Sequence, residues 1–254
     1  MEETIQLDNG DAYTGEMQNG KRQGKGKYIY SNGNKYEGSW HEGKKQGKGL
    51  FTYASGSVYD GEWQDNEKHG NGMFQFKSGS GYMGQWQHNK PHGKGLYLYV
   101  NEDRYEGDWQ NGKQHGKGVH HYADGSRYEG DWQNGKQHGK GLHVYVDGGK
   151  YAGSWAEDKR HGTGALYFAG GGGYEGDWKN DQRNGKGTHH YPNKERYDGE
   201  WLNNKKHGKG IYFYPCGDVY EGLWANDKRN GKGTMHFSDN RTEAHEYKDD
   251  TRMR

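Results

Sequence analysis

A tyrosine recurs every 23 residues along this 254-residue chain, and that fixed period constrains the fold more than any other feature. Tyr13, Tyr36, Tyr59, Tyr82, Tyr105, Tyr128, Tyr151, Tyr174, Tyr197 and Tyr220 each open a Tyr-x-Gly-x-Trp segment, with Met17 in the tryptophan slot of the first. All nine tryptophans of the protein occupy this slot, and Gly-x-Gly follows eleven residues after every opening tyrosine. Ten units are present, with no insertion or deletion between them.

Each unit alternates as a β-strand does: Tyr105, Gly107 and Trp109 fall on one face, Glu106 and Asp108 on the other. The connection Gln110-Asn111-Gly112-Lys113 carries the signal of a two-residue type I′ hairpin turn. The Gly112 slot holds Gly, Asn or Asp in all ten units, the residues that best tolerate positive φ. Centring the turn there predicts a register with Glu106 opposite Lys117, Gly107 opposite Gly116 and Tyr105 opposite Gly118. The same rule sets Glu37 against Lys48, Glu129 against Lys140, Glu175 against Lys186, Asp198 against Lys209 and Glu221 against Lys232. Where the acid is lost, at Ala152, the facing base is lost too, at Thr163. Such pairs contribute only about 0.2–1 kcal/mol each, so their expected value lies in fixing register. By this register a ring on Tyr105 covers the backbone that Gly118 leaves bare.

Composition shows what replaces an ordinary core. Hydrophobic residues make up 28% of the chain, against about 45–50% in a typical globular domain. The net charge is only +1, prolines number three and aromatics reach 15%, so order is built from Tyr, Trp and Gly. The second strand of each unit ends in an aromatic: Tyr30, Tyr53, Phe76, Tyr99, Tyr122, Tyr145, Phe168, Tyr191, Tyr214 and Phe237. Placed opposite the next opening tyrosine, these rings are expected to form a ladder along one face.

Several functions are disfavoured on the same grounds. The balance of 36 basic and 35 acidic residues lacks the excess expected of a nucleic-acid binder and weakens an electrostatic membrane reading. No stretch approaches the roughly 18 apolar residues of a membrane helix, and the first residues lack the pattern of a secretory leader. The chain therefore reads as soluble and cytoplasmic, and the single Cys216 suits a reducing compartment. Histidine precedes Gly-x-Gly at His69, His92, His115, His138, His161 and His207. Neighbours in that column would stand about 9.6 Å apart, too far for one zinc ion, so no metal site is expected. His69, His115, His138 and His207 instead face Glu62, Asp108, Asp131 and Glu200 in the predicted register, and the pairs His120-His121 and His189-His190 read as strand fillers. Gly-Lys-Gly lies mid-strand and lacks the helix N-terminus that a phosphate loop needs. The carboxylates form repeating ladders rather than one singular constellation, so neither an enzymatic activity nor a cofactor is expected.

YEGDWQNGKQHGKG, from Tyr105 to Gly118, closely resembles the MORN repeat (membrane occupation and recognition nexus), and the resemblance extends over about residues 5 to 237. It implies an all-β fold: an elongated, twisted, single-layer antiparallel sheet of about ten stacked 23-residue hairpins, with a concave aromatic groove. At two strands per repeat, ten repeats would reach about 95 Å. Residues 1–12 read as an N-terminal half-repeat cap, 13–237 as ten repeats, and 238–254 as a degenerate capping strand and tail. In that last strand Glu243 replaces the opening tyrosine, His245 a glycine and Tyr247 the tryptophan.

A single layer leaves one aromatic face uncovered, and its centre is the expected site for helical or extended segments of other proteins. The candidate residues are Tyr82, Trp86, Tyr99, Tyr105, Trp109, Tyr122, Tyr128, Trp132, Tyr145, Tyr151 and Trp155. The resemblance further implies a non-catalytic scaffold in a cytoskeletal assembly, above all the radial spoke head of ciliary and flagellar axonemes. A phospholipid-binding adaptor is the alternative, and an exposed terminal strand would permit end-to-end homodimers.

Overall fold

The computed structural model describes residues 4–253. Residues 1–3 of the expected N-terminal cap and residue 254 of the expected tail lie outside the described residues. Every helix or strand among the described residues is a strand, and 23 strands form one open antiparallel sheet. The chain divides into two compact units. One comprises the chain up to Ala123 together with Trp132–Gly135, the other Asp124–Asp131 and the chain from Lys136 onward.

The first unit begins with β1 (Thr4–Gln6), β2 (Ala12–Gln18), β3 (Lys21–Ile29), β4 (Lys35–His41), β5 (Lys44–Thr52), β6 (Val58–Gln64) and β7 (Glu67–Gln75). Each of these strands pairs antiparallel with its neighbours in sequence. A seven-residue strand carrying Tyr-x-Gly-x-Trp therefore alternates with a nine-residue strand carrying Gly-x-Gly. The two-residue turns have positive φ at both central positions, as at Asn111 (52°) and Gly112 (83°) or Asp65 (49°) and Asn66 (72°). That is the signature of the type I′ turn, whose twist matches the flanking strands.

Beyond the turn the register departs from expectation. Trp40 faces Lys45 and His41 faces Lys44, as a turn-centred count requires, but the pairing then shifts by two residues, so that Gly38 faces Gly49 and Tyr36 faces Phe51. Glu37 consequently lies opposite Leu50, and elsewhere Glu106 lies opposite Val119, Glu175 opposite Thr188, Asp198 opposite Ile211 and Glu221 opposite Thr234. None of these acids faces its expected lysine, Ala152 faces Ala165 rather than Thr163, and Tyr105 faces His120. In β5 the displaced residues are Gly47, at φ +68°, and Lys48, which loop out as a bulge.

Two contacts account for the shift. The Tyr36 ring lies flat across the paired glycines, so close that a Cβ built on Gly49 would stand 2.3 Å from the phenol oxygen. The acid before tryptophan then occupies the bulge: the Asp108 carboxylate accepts the Lys117 amide at 2.8 Å, as Asp177 does from Lys186. The bulge lysines turn to the next repeat instead, where Lys48 faces Glu62 and Lys94 lies 2.5 Å from the Asp108 carboxylate. The histidine column follows the turn-centred register, with His69 opposite Glu62, His115 opposite Asp108 and His207 opposite Glu200.

The core is this tyrosine column: all ten opening tyrosines are at most 2% exposed. Ala in place of Gly49 must displace a buried ring, whereas Ala in place of Gly43 meets open space and only its φ of +82° opposes it. We expect Gly49→Ala to destabilise the β4–β5 hairpin by roughly 2–3 kcal/mol and Gly43→Ala by about 1 kcal/mol. Native-state hydrogen exchange of the hairpin amides distinguishes the two, because repeat arrays open locally.

Candidate functional site

One repeat contains the whole geometry of the aromatic face. The Tyr36 hydroxyl donates to the Ser39 carbonyl at 2.9 Å, which fixes the ring over the glycines. Trp40 meets that ring edge-on at 5.1 Å, and Trp63 of the next repeat meets it edge-on at 5.4 Å. The Trp63 indole N–H donates to the Gly49 carbonyl at 3.0 Å. The same bond to the preceding repeat is made by all nine tryptophans, from Trp40 to Gly26 through Trp224 to Gly210, at 3.0–3.3 Å. Each indole thus satisfies its only donor while closing the seam between repeats.

These contacts decide which of the expected groove residues meet solvent. Tyr82, Tyr105, Tyr128 and Tyr151 are sealed at 0–1% exposure, and Trp86, Trp109, Trp132 and Trp155 retain only an edge at 5–6%. Tyr99, Tyr122 and Tyr145 are half-buried and present much more of their rings. The accessible surface is therefore built from the second strands and the loops that follow them.

The loop aromatics do not stand opposite the next opening tyrosine as expected. Tyr28 does so, facing both Tyr13 and Tyr36, while Tyr30 sits in a loop closed by its amide donating to the Asn34 carbonyl. A ladder nonetheless exists because the two columns alternate. In the first unit it runs Tyr28, Tyr30, Phe51, Tyr53, Phe74, Phe76, Tyr97, Tyr99, His120 and Tyr122, with successive ring centres 4.3–6.0 Å apart. In the second unit His143 stacks on Tyr145, and a run Phe168, His189, Tyr191, Tyr212, Tyr214 follows at 4.2–6.0 Å, with Leu166 and Met235 in the remaining strand positions. His120 and His189, expected as strand fillers, are buried ladder rings. This column was legible, since it lies fifteen residues after each opening tyrosine, but His, Leu and Met among the aromatics disguise it.

A second unanticipated column lies nine residues after the opening tyrosine: Arg22, Lys45, Lys68, Pro91, Gln114, Gln137, Arg160, Arg183, Lys206 and Arg229. Its cations stack on the ring in the tryptophan slot of the next strand pair, which for Arg229 is Tyr247. Arg22 stands 4.3 Å over Trp40, Lys45 4.1 Å over Trp63, Arg160 4.3 Å over Trp178 and Arg183 4.1 Å over Trp201. Lys68 lies 4.3 Å over Phe74 and 4.9 Å over Trp86. Burial pushes Lys45 and Lys68 each down to about 8, helped at Lys45 by the neighbouring charges of Lys68 and Arg22. Burial likewise lowers His120 and His143, and together with the Arg183 guanidinium it brings His189 to about 4. Arg183 donates to His189 Nδ1 at 2.7 Å, a bond that only the neutral imidazole accepts.

The opposite face is charged and carries shallow hollows in both units. One of about 560 Å³ is bordered by Lys25, Lys27, Glu37, Lys48 and Asp60, and one of about 1040 Å³ by Lys209, Glu221, Lys232 and Glu246 with Ile211 and Leu223. The aromatic face of the first unit carries a hollow as well, of about 430 Å³, bordered by Ile5, Leu7, Tyr13, Met17, Arg22 and Tyr28.

The MORN repeat family model matches residues 13–35, 36–58, 59–81, 82–104, 105–127, 128–150, 151–173, 174–196, 197–219 and 220–240. The chain belongs to the MORN-repeat family. No curated protein matches the sequence. Among solved structures, the TCP domain of Drosophila melanogaster SAS-4 (dCPAP) in complex with a proline-rich motif is 15% identical, covering 61% of this chain and 85% of that one, with a TM-score of 0.40. The Danio rerio CPAP TCP10 domain in complex with a STIL peptide is 10% identical over 97% of this chain and 100% of that one, at a TM-score of 0.43. A streptogramin B lyase is 14% identical over 97% and 83%, at a TM-score of 0.17.

The MORN ladder carries its own pH response. His189 has a folded-state pKa near 4, below the ordinary value of about 6.5, so the unfolded chain takes up the proton first. Its contribution is complete above pH ~6.5 and falls by about 2–3 kcal/mol as the pH drops toward 4. His189→Phe keeps a ring in the ladder and removes the titration. The stability lost between pH 7 and 4.5 in urea titrations should therefore be smaller in the variant by that amount, and equal losses would contradict the assignment.

Proposed function

We propose that the protein is a non-catalytic scaffold whose aromatic face docks segments of partner proteins. The observation that carries this reading is the half-buried loop column Tyr30, Tyr53, Phe76, Tyr99 and Tyr122, an unbroken ladder of rings on a sheet face with no second layer over it. Stacked rings of this kind offer rigid apolar area and phenolic hydrogen bonds at low entropic cost, which suits recognition of a chain segment. The tyrosines and tryptophans beneath are the scaffold that presents them. A cytoskeletal assembly is the proposed setting, with the axonemal radial spoke head as its most specific form; both rest on membership of the MORN family.

Photocrosslinking in cells tests the reading. A benzophenone amino acid at Tyr53 or Tyr99 should capture discrete proteins, whereas the same probe at Glu106 on the charged face should capture little. Equal yields from both faces would contradict the proposal. Saturable binding to anionic vesicles at physiological salt, lost on substituting ladder rings, would favour a lipid adaptor instead.

A further inference from the structure

Three consecutive repeats of the first unit hold cations on the aromatic face without acidic partners of their own. Across the sheet the column nine residues after the opening tyrosine meets the turn residue 21 positions later, which is neutral for Arg22, Lys45 and Lys68 in succession but is an aspartate for Arg160, Lys206 and Arg229 in the second unit, where Arg183 alone among the cations meets a neutral Asn204. Arg160 and Arg229 meet Asp181 and Asp250, at 3.1 and 3.0 Å, and the Lys206 amide donates to Asp227 at 2.8 Å. Arg22 meets the carbonyl of Gly43, and the backbone amides of Lys45 and Lys68 meet the neutral side chains of Asn66 and Asn89. Among the described residues, neither the Lys45 nor the Lys68 ammonium has a carboxylate within ion-pairing distance. Both are half-buried against rings, and Lys45 is further unsettled by the like charges of its neighbours in the row. A ligand bringing carboxylates to this row relieves that repulsion in a partly desolvated setting, where a charge-assisted hydrogen bond is strongest.

The spacing of the row selects the conformation of that ligand. Two strands per repeat place successive cations about 9.6 Å apart. A polyproline II helix returns to the same face every three residues with a rise of about 9.3 Å, so two intervals accumulate a mismatch of only about 0.6 Å. An extended β-strand presents residues i and i+3 on opposite faces. An α-helix reaches its nearest same-face match at seven residues and about 10.5 Å. Between the cations the ladder supplies an aromatic pair per repeat, Tyr28 with Tyr30, Phe51 with Tyr53 and Phe74 with Phe76, the kind of surface on which proline rings dock.

We infer that Arg22, Lys45 and Lys68, with the rings beside them, form a site for a proline-rich segment of a partner protein that carries an acidic residue at every third position. The inference rests on the protein-docking reading above and names the chemistry of one partner. The test uses the full chain and fluorescein-labelled synthetic peptides read by anisotropy: (Glu-Pro-Pro) repeated five times, a peptide of identical composition with its five glutamates contiguous, and (Lys-Pro-Pro) repeated five times. The periodic acidic peptide should bind at least about tenfold more tightly than the block peptide, and the basic peptide should not bind. The double variant Lys45→Met/Lys68→Met, which keeps apolar cover over the tryptophans, should lose about tenfold, and Lys45→Arg/Lys68→Arg should restore binding to within about threefold. Lys206→Met should change affinity less than about twofold. Equal binding of periodic and block peptides, or wild-type affinity in the Met double variant, would overturn the inference. Protein crosslinks at Tyr53 that persist alongside such a failure would leave the docking reading standing, and loss of both would remove both.

Discussion

The whole sheet depends on one close approach: a tyrosine ring lying on a pair of glycines that face each other across a hairpin. Because Gly38 and Gly49 have no side chains, the two strands and the Tyr36 ring meet at distances that no other residue permits. The ring can lie there only if the second strand loops out two residues, so the bulge, its positive-φ glycine and the carboxylate that fills it all follow. The Gly49 carbonyl in turn accepts the indole of the next repeat. Tyrosine closes each hairpin and tryptophan joins it to its neighbour. A sheet of one layer therefore has a core, though one only a ring thick, and stability accumulates repeat by repeat through nearest-neighbour seams.

The period, the strands and the turns were legible in the sequence because each depends on local chemistry. A two-residue connection ending in Gly, Asn or Asp admits few conformations, and Tyr-x-Gly-x-Trp alternates as a strand must. The long-range register was not legible, because a register counted from the turn holds only for an unbroken ladder, and the bulge breaks it. Gly116 marks the bulge, yet a glycine in a strand reads equally well as a packing residue, and only the ring of Tyr105 over Gly118 decides between the two. That contact was anticipated even though the register built around it was wrong by two residues. Charge complementarity misled in the same way: Glu106 and Lys117 suggest a pair, but the bulge places Val119 opposite Glu106 and sends the Lys117 amide to Asp108.

The aromatic face was legible in the sequence, but which of its rings meet solvent was not. Tyrosine and tryptophan dominate the repeat, so they were the natural lining of a groove, but residues that hold a thin sheet together cannot also be its exposed surface. The opening tyrosines are buried because they serve the glycines, and the tryptophans because they serve the seam. What remains accessible belongs to less uniform columns, the loop aromatics and the cations above the indoles. These vary along the chain in a way the structural columns do not: Lys45 and Lys68 face neutral asparagines where Arg160 and Arg229 face aspartates. Uniform columns thus set the fold, and the non-uniform ones give each part of the aromatic face its own chemistry.

The claim that stability is carried by these nearest-neighbour seams is tested most directly by removing one indole donor and following every amide. Trp63→Phe keeps an aromatic ring but removes the indole donor that reaches the Gly49 carbonyl across the buried seam, a loss of about 1–3 kcal/mol. Native-state hydrogen exchange should then show protection falling by roughly tenfold or more in Lys44–Thr52 and Val58–Gln64, with distant strands such as Gly173–Lys179 unchanged. Unaltered protection at the seam, or an equal loss in every strand, would contradict the account.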